Sequence, residues 1–186
     1  MLLLCEHGRS ENGNRCRHCG SEIETLSHIL GFCRHGELLR NSRHHVIRTA
    51  IADEFRKQKW EVAEEVHGLS EDGSNRRIDI IVINPVTREG YILDPTVRFE
   101  RDKGQAEEVD AEKRNIYEAT VPYFKTKYDA RKLSVVGLFV GARGTITSFF
   151  KAFCKKFNLD NLFIDRISML ALKGSISILR YHLYGQ

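Results

Sequence analysis

The chain has 186 residues, of which 41% are hydrophobic and 29% are charged, and its formal net charge is +4. This composition is ordinary for a globular protein and excludes a disordered or low-complexity chain, while the small positive excess only weakly favours an acidic partner. No apolar run reaches the roughly 18–20 residues of a membrane span, and the apolar start of the chain is too short for a signal-peptide core, so we expect no membrane partner.

Four of the five cysteines lie within residues 1–36, and their spacing is typical of a zinc site. Cys16 and Cys19 form a C-x2-C turn, and His28 and Cys33 follow as an H-x4-C segment. Three thiolates and one imidazole can bind zinc tetrahedrally, whereas an odd number of clustered cysteines argues against a disulfide framework. We therefore predict a small zinc module. Three alternatives stay open: a ligand role for His18 or His35, a partial second site at Cys5 and His7, and buried cysteines without metal.

Residues 38 to about 60 have helical periodicity, and Arg43 falls inside the apolar stripe. A core-facing arginine needs an anionic partner, so we expect Arg43 to meet the aspartates described next or a bound phosphate. The alternative is that its stem packs while its charged head reaches water. A turn-rich loop at 69–75 then leads into Arg76 and Arg77.

Residues 78–84 and 91–99 are predicted to form two strands joined by a turn that contains proline and glycine. If this hairpin is centred on residues 86 and 87, Asp79 and Asp94 lie opposite each other to within about one residue. Two neighbouring carboxylates on otherwise apolar strands can share one divalent cation. The alternative is that both acids reach solvent or pair with Arg76, Arg77 or Arg98.

Residues 105–120 are predicted to form a second amphipathic helix, which Pro122 ends. Lys113 falls in the middle of its apolar face and is therefore expected to point toward the sheet. Beside two metal-binding carboxylates, this lysine would orient the attacking water or stabilise the charge that develops on a phosphate. The alternative is an ordinary helix lysine that pairs with a neighbouring acid.

Residues 133–140 are predicted to form a buried strand, followed by a glycine turn and a helix from about 145 to 157. Arg143 lies in that turn and would add charge to an anion site at the helix N-terminus, although a plain strand–helix connection is an equal alternative. Residues 160–184 are predicted to form a final packing helix, with a bend or break at Gly174.

Six short segments of the chain resemble one protein family in their residues and their order. The segments are Cys16-Arg-His-Cys-Gly20, Glu24-Thr-Leu-Ser-His28, Arg43-His-His45, Arg77-Ile-Asp79, Ile92-Leu-Asp-Pro-Thr-Val97 and Glu112-Lys-Arg-Asn-Ile-Tyr117. Together they resemble the C-terminal region of site-specific non-LTR retrotransposon proteins, which joins a CCHC zinc knuckle to a restriction-like endonuclease of the PD-(D/E)XK type. The resemblance covers nearly the whole chain from Cys16 onward.

The chain departs from the pattern of that family at a few positions. Ile78 stands where the family usually has proline, and Thr96 stands where restriction enzymes have a lysine two residues after the second acid, Asp94. In retrotransposon relatives the basic residue moves to the following helix, and Lys113 fits that place. Glu100 is a reserve third acid.

The resemblance implies an α/β fold with a restriction-endonuclease-like mixed β-sheet flanked by helices. It divides the chain into a zinc knuckle with its lead-in at 1–36 and an endonuclease domain at 37–186. The chain has no Tyr-x-Asp-Asp polymerase segment, so we expect a fragment of a longer polyprotein or a truncated or domesticated copy.

The implied activity is a Mg2+- or Mn2+-dependent DNA endonuclease that nicks target DNA for target-primed reverse transcription. Its partners would be target DNA, element RNA and the reverse transcriptase domain of the parent polyprotein, in the nucleus. The alternatives are a non-catalytic DNA- or RNA-binding module and a structural scaffold. The implied residues are Asp79 and Asp94 for the catalytic metal, Lys113 for catalysis, Cys16, Cys19, His28 and Cys33 for structural zinc, and Arg43, Arg76, Arg77 and Arg143 for nucleic acid.

Overall fold

The computed structural model describes residues 14–185, and the pair Cys5 and His7 lies outside this range. Within this range, six α-helices and four strands follow one another. The helices are α1 (Leu26–Gly31), α2 (Glu37–Lys57), α3 (Gln105–Tyr117), α4 (Val121–Lys127), α5 (Ser148–Lys156) and α6 (Asn161–Tyr184), and the strands are β1 (Glu61–Leu69), β2 (Asn75–Ile83), β3 (Glu89–Arg98) and β4 (Lys132–Gly141). Short 3-10 turns occupy Arg34–Gly36 and Glu118–Thr120.

The strands form one mixed sheet in the order β1-β2-β3-β4. The pairs β1–β2 and β2–β3 are antiparallel, and β3–β4 is parallel. The parallel pair requires a crossover, and α3 and α4 supply it. The predicted mixed sheet flanked by helices is therefore confirmed.

Alternate residues of the central strands bury opposite faces of the sheet, as a strand period of two dictates. Ile80 and Val82 of β2 join a large core with residues of α2, α5 and α6, whereas Ile81 and Ile83 join a second core with Phe124 of α4. Because both faces are covered, the middle of the sheet is dry, and a charged residue on it needs a specific partner.

Two predicted helices differ from the structure at one end, and one strand was not predicted. The helix predicted at 105–120 ends at Tyr117, and Pro122 lies in the first turn of α4 instead of ending a helix, a position where its missing N–H costs nothing. The helix predicted from about 145 begins at Ser148, because the Thr147 hydroxyl caps it by accepting a hydrogen bond from the Phe150 amide. Strand β1 has no counterpart in the prediction.

A break at Gly174 does not occur, since α6 runs without interruption from Asn161 to Tyr184. The glycine is needed for a close approach: a Cβ at position 174 would lie 2.6 Å from Cγ of Arg43 on α2. The long arginine side chain therefore crosses α6 at the one turn where no side chain blocks it.

Replacing Gly174 with alanine is expected to destabilise the fold by about 1–3 kcal/mol, because overpacking outweighs the helix propensity that alanine gains. Thermal unfolding should show this as a loss of several degrees in Tm. Gly31→Ala is the matched control, since no atom lies within 4 Å of an added Cβ there. An unchanged Tm for Gly174→Ala would contradict the proposed packing role.

Candidate functional site

The hairpin of β2 and β3 places Asp79 and Asp94 side by side. Ile80 pairs with Leu93, and Ile83 pairs with Gly90, so the next pair in this register is Asp79 and Asp94. The register is the one predicted from a turn centred on residues 86 and 87. The Asp94 side chain is only 5% exposed and the Asp79 side chain is 18% exposed, so one acid is deep and the other lies nearer the surface.

Lys113 of α3 reaches Asp94, as its place on the apolar face predicts. Its Nζ lies 3.1 Å from Oδ1 of Asp94, and the lysine side chain is 15% exposed. Helix α3 can lie this close because β4 has a glycine beneath it: a Cβ at Gly137 would lie 2.9 Å from Cγ of Lys113. The Thr96 hydroxyl donates to the same carboxylate oxygen over 3.1 Å. The alternative pairing of these acids with Arg98 is wrong, since Arg98 pairs with Glu112.

The surroundings of Asp94 shift its protonation. Burial raises the pKa of Asp94, the charge of Lys113 opposes that shift, and the charge of Asp79 adds to it. Burial, followed by the nearby charge of Asp94, also raises the pKa of the Tyr117 phenol. A buried acid with a second acid beside it gains from any cation that enters the site.

His44 belongs to this site, although it was not among the predicted site residues. Its Nε2 lies 3.0 Å from Oδ2 of Asp79, and its side chain is 29% exposed. Helix α2 thus presents two neighbouring residues, Arg43 and His44, to the same region. The only available signal was their adjacency in the segment Arg43-His-His45, because the strand that His44 faces is 35 residues away.

These residues surround one open cavity of about 310 Å³. Its polar wall is formed by Arg40, Asn41, Arg43, His44, Asp79, Asp94, Thr96 and Lys113. Elements α2, β2, β3 and α3 all contribute to it, so residues separated by more than 70 positions in the sequence meet here. We call this cavity the acid pocket.

Arg43 is buried at 4% exposure, but its hydrogen bonds go to neutral oxygens. Its guanidinium donates to the Ser175 hydroxyl over 2.7 Å and to the Leu30 carbonyl over 3.0 Å, while Nε has no partner. Burial, with the charge of Arg40 second, lowers the pKa of Arg43 to about 10. The Arg43 guanidinium therefore does not reach water, and it does not form the predicted pair with Asp79 or Asp94. This cation lines the acid pocket and forms no ion pair with a carboxylate of residues 14–185.

The other three predicted nucleic-acid arginines do not line the acid pocket. Arg77 pairs with Glu65, and Arg143 pairs with Glu100 over 3.0 Å while its guanidinium lies over the ring of Phe99. Glu100 is therefore engaged outside the pocket and does not act as a third acid within it. Arg76 is half-buried, and its Nε has no hydrogen-bond partner within residues 14–185.

The four predicted zinc ligands form one cluster. Donor atoms of Cys16, Cys19, His28 and Cys33 all lie within 4.8 Å of one another. Sγ of Cys16 lies 3.6 Å from Sγ of Cys33, and Sγ of Cys19 lies 3.3 Å from Nε2 of His28. Burial raises the pKa of the Cys33 thiol to about 11, so a thiolate there needs a cation. Three sulfur donors and one nitrogen donor fit a metal such as zinc.

One neighbour of this cluster, His182, comes from the other end of the described range. His182 of α6 is 1% exposed, with Nε2 at 3.9 Å from Sγ of Cys16 and 3.2 Å from Glu24. His18 and His35, the alternative ligands, stack on each other at 3.7 Å between ring centroids, and His18 bonds the His182 carbonyl. They support the cluster from the side and are not among its donor atoms.

Backbone oxygens of the cysteine-rich segment hold both arginines of the acid pocket. Arg40 donates to the carbonyl of the metal-ligand candidate Cys33, and Arg43 donates to the carbonyl of Leu30, which lies between His28 and Cys33. The cysteine cluster and the acid pocket are therefore joined through the last turn of α1 and the residues that follow it as far as Cys33.

No protein-family model matches the chain, and no curated protein matches it significantly. Within residues 14–185, every helix is either too short or too polar to cross a membrane.

Proposed function

We propose that the protein is a divalent-metal-dependent DNA endonuclease with a restriction-endonuclease-like fold and a CCHC zinc knuckle at 1–36. The observation that carries the proposal is the meeting of Asp79, Asp94 and Lys113 in one cavity, in the order acid, acid, lysine along the chain. The resemblance to non-LTR retrotransposon proteins supports the same assignment. It suggests a role in nicking target DNA, in the nucleus, for a reverse transcriptase and its RNA.

The donor set of the acid pocket fits Mg2+ or Mn2+. Hard divalent cations prefer carboxylate oxygens and often bind through one or two of them while keeping water in the remaining positions. Asp79 and Asp94 would hold the cation, which would offset the burial and the neighbouring Asp79 charge that raise the pKa of Asp94. When bound, the cation supplies positive charge at the phosphate and makes water a better nucleophile.

The residues of the chain then have separate tasks. Lys113, which forms an ion pair with Asp94, orients the attacking water and stabilises the charge that develops on the phosphate. Arg43 offers the non-bridging phosphate oxygens a cation that no carboxylate neutralises. Water adds to phosphorus, the bond to the 3′ oxygen breaks, and that oxygen leaves with a proton as a free 3′ hydroxyl able to prime DNA synthesis.

Nicking of supercoiled plasmid by the zinc-loaded protein tests the proposal. We expect conversion to open circles with Mg2+ or Mn2+ and none with EDTA. If DNA is bound but never nicked with either metal, the endonuclease assignment is wrong.

A second candidate function is a non-catalytic nucleic-acid-binding module. The observation that favours it is Arg43, a buried cation that faces the acid pocket without an acidic partner, in a chain with a net charge of +4. Such a module should bind DNA or RNA in EDTA, with an affinity that falls as salt rises because counterions are released on binding.

His44 is expected to set the metal affinity of the acid pocket by holding Asp79 through its 3.0 Å hydrogen bond. His44→Ala should weaken Mn2+ binding, measured by electron paramagnetic resonance, by about tenfold, since a hydrogen bond to a charged group is lost. His44→Gln, which keeps an N–H donor, should restore part of it.

His45→Ala is the matched control, because the exposed His45 lies beside Glu65 and not at Asp79. Equal Mn2+ affinity for His44→Ala and wild type would show that the hydrogen bond does not position Asp79. That result would not contradict the endonuclease proposal, which the nicking assay tests independently.

A further inference from the structure

Helix α6 has a second apolar face that the fold does not use. Its inner face packs into the main core through Phe163, Ile167 and Ala171. On the outer side, Leu162, Met169, Leu172 and Ile176 are 76%, 48%, 36% and 47% exposed. A surface helix of a globular protein needs only one apolar stripe, so the outer one requires its own explanation.

The spacing of the outer residues is regular. Steps of seven, three and four residues lead from Leu162 through Met169 and Leu172 to Ile176, which is the a and d pattern of a heptad. The stripe covers roughly 21 Å along the helix, at about 1.5 Å per residue. Asp165 occupies the d position between Leu162 and Met169, so the apolar seam is continuous only from Met169 to Ile176. Single exposed hydrophobic residues are common, but three on one stripe of a helix mark an interaction surface.

A row of cations runs beside this seam. Arg166, Lys173 and Arg180 are exposed and follow one another at intervals of seven residues. None of them forms a salt bridge with any residue in the described range 14–185. Apart from Asp165, the single acid of α6, the outer face combines an apolar seam with a positively charged flank.

We propose that the outer face of α6 binds an amphipathic helix of a partner protein whose apolar stripe is flanked by aspartate and glutamate. Acidic flanks would pair with the three cations while apolar side chains cover the seam, as in helix-to-helix recognition. A second copy of this chain fits less well because it would add three more cations to the seam. Nucleic acid would neutralise the cations but leave the apolar residues uncovered.

Two synthetic helical peptides test this surface. Both are about three heptads long with leucine at a and d, and their flanking positions are glutamate in one and lysine in the other. In fluorescence anisotropy with the whole chain at low salt, we expect the acidic peptide to bind at least about tenfold more tightly than the basic one.

The double variant Leu172→Glu/Ile176→Glu should weaken binding of the acidic peptide at least about tenfold, by removing apolar contacts and adding like charge. Lys151→Glu is the matched control: it makes the same change of two charge units at an exposed site on α5. Because the seam is outside the acid pocket, the double variant should keep wild-type Tm and wild-type nicking.

Four results would overturn the proposal. These are no binding of the acidic peptide, equal binding of both peptides, self-association in sedimentation that the double variant abolishes, and binding that occurs only to anionic lipid vesicles. The third result would assign the seam to a second copy of the chain, and the fourth would assign it to a lipid surface.

Discussion

Replacing Asp94 with asparagine is expected to abolish metal-dependent nicking, by at least about a thousandfold, while the fold is retained. The change removes the deeper of the two proposed metal ligands and releases Lys113 from its ion pair. Its effect on stability is expected to be moderate because two effects partly oppose each other. The variant leaves the half-buried Lys113 ammonium without its carboxylate, which destabilises the fold, but it also removes the cost of burying a charge next to Asp79.

Three measurements separate this outcome from simple misfolding. Plasmid nicking with Mg2+ should be lost for Asp94→Asn and for Lys113→Met, which removes the other end of the same ion pair. The Tm of each variant should stay within a few degrees of wild type, and DNA affinity in EDTA should be unchanged. Glu107→Gln, an exposed acid on α3, is the control and should nick normally. Normal nicking by Asp94→Asn would refute the assignment of the site.

If the cysteine cluster binds zinc as proposed, replacing Cys33 with serine is expected to abolish that binding and to remove most of the stability of residues 14–36. Cys33 is fully buried, and its sulfur lies 3.6 Å from that of Cys16. Structural zinc contributes on the order of 10–16 kcal/mol of binding free energy in small zinc modules, so its loss is a large effect. Serine is a poor ligand, and its hydroxyl would also be buried without a partner.

The same variant should reduce nicking, because the carbonyls of Leu30 and Cys33 hold the arginines of the acid pocket. Zinc content by mass spectrometry under native conditions and the Tm are the direct readouts. Cys154→Ser is the matched control: it is an equally buried cysteine on α5, outside the cluster, and should keep one zinc ion per chain. Full zinc content in Cys33→Ser would contradict the ligand assignment.

The parts of this structure that were predictable from sequence depend on short-range patterns. The hairpin register follows from a turn that fixes how two adjacent strands pair, and it correctly placed Asp79 opposite Asp94. The cysteine cluster follows from ligand spacing in a segment of 18 residues. Lys113 was found because a charge on an apolar helix face breaks the local pattern.

The missed features depend on contacts between distant segments. His44 resembles an ordinary surface histidine in the sequence, because the contact of α2 with β2 cannot be read there, and the partners of Arg43 lie on α6 and in the last turn of α1. Strand β1 was not predicted because it contains the charged residue Glu64, whose partner Arg48 lies 16 residues earlier in the chain. Gly174 was interpreted as a helix breaker because the residue that requires a glycine there, Arg43, belongs to another helix and cannot be identified from the local sequence.

The position of His182 against Cys16 has a consequence for the order of events during synthesis. The two residues are separated by 166 positions, so the first cysteine of the cluster emerges from the ribosome long before the helix that covers it. At about 5–20 residues per second, this interval is roughly 10–30 s. During that time the nascent thiols are open to solvent and to competing metal ions, and the cluster can be closed only when translation of α6 is complete.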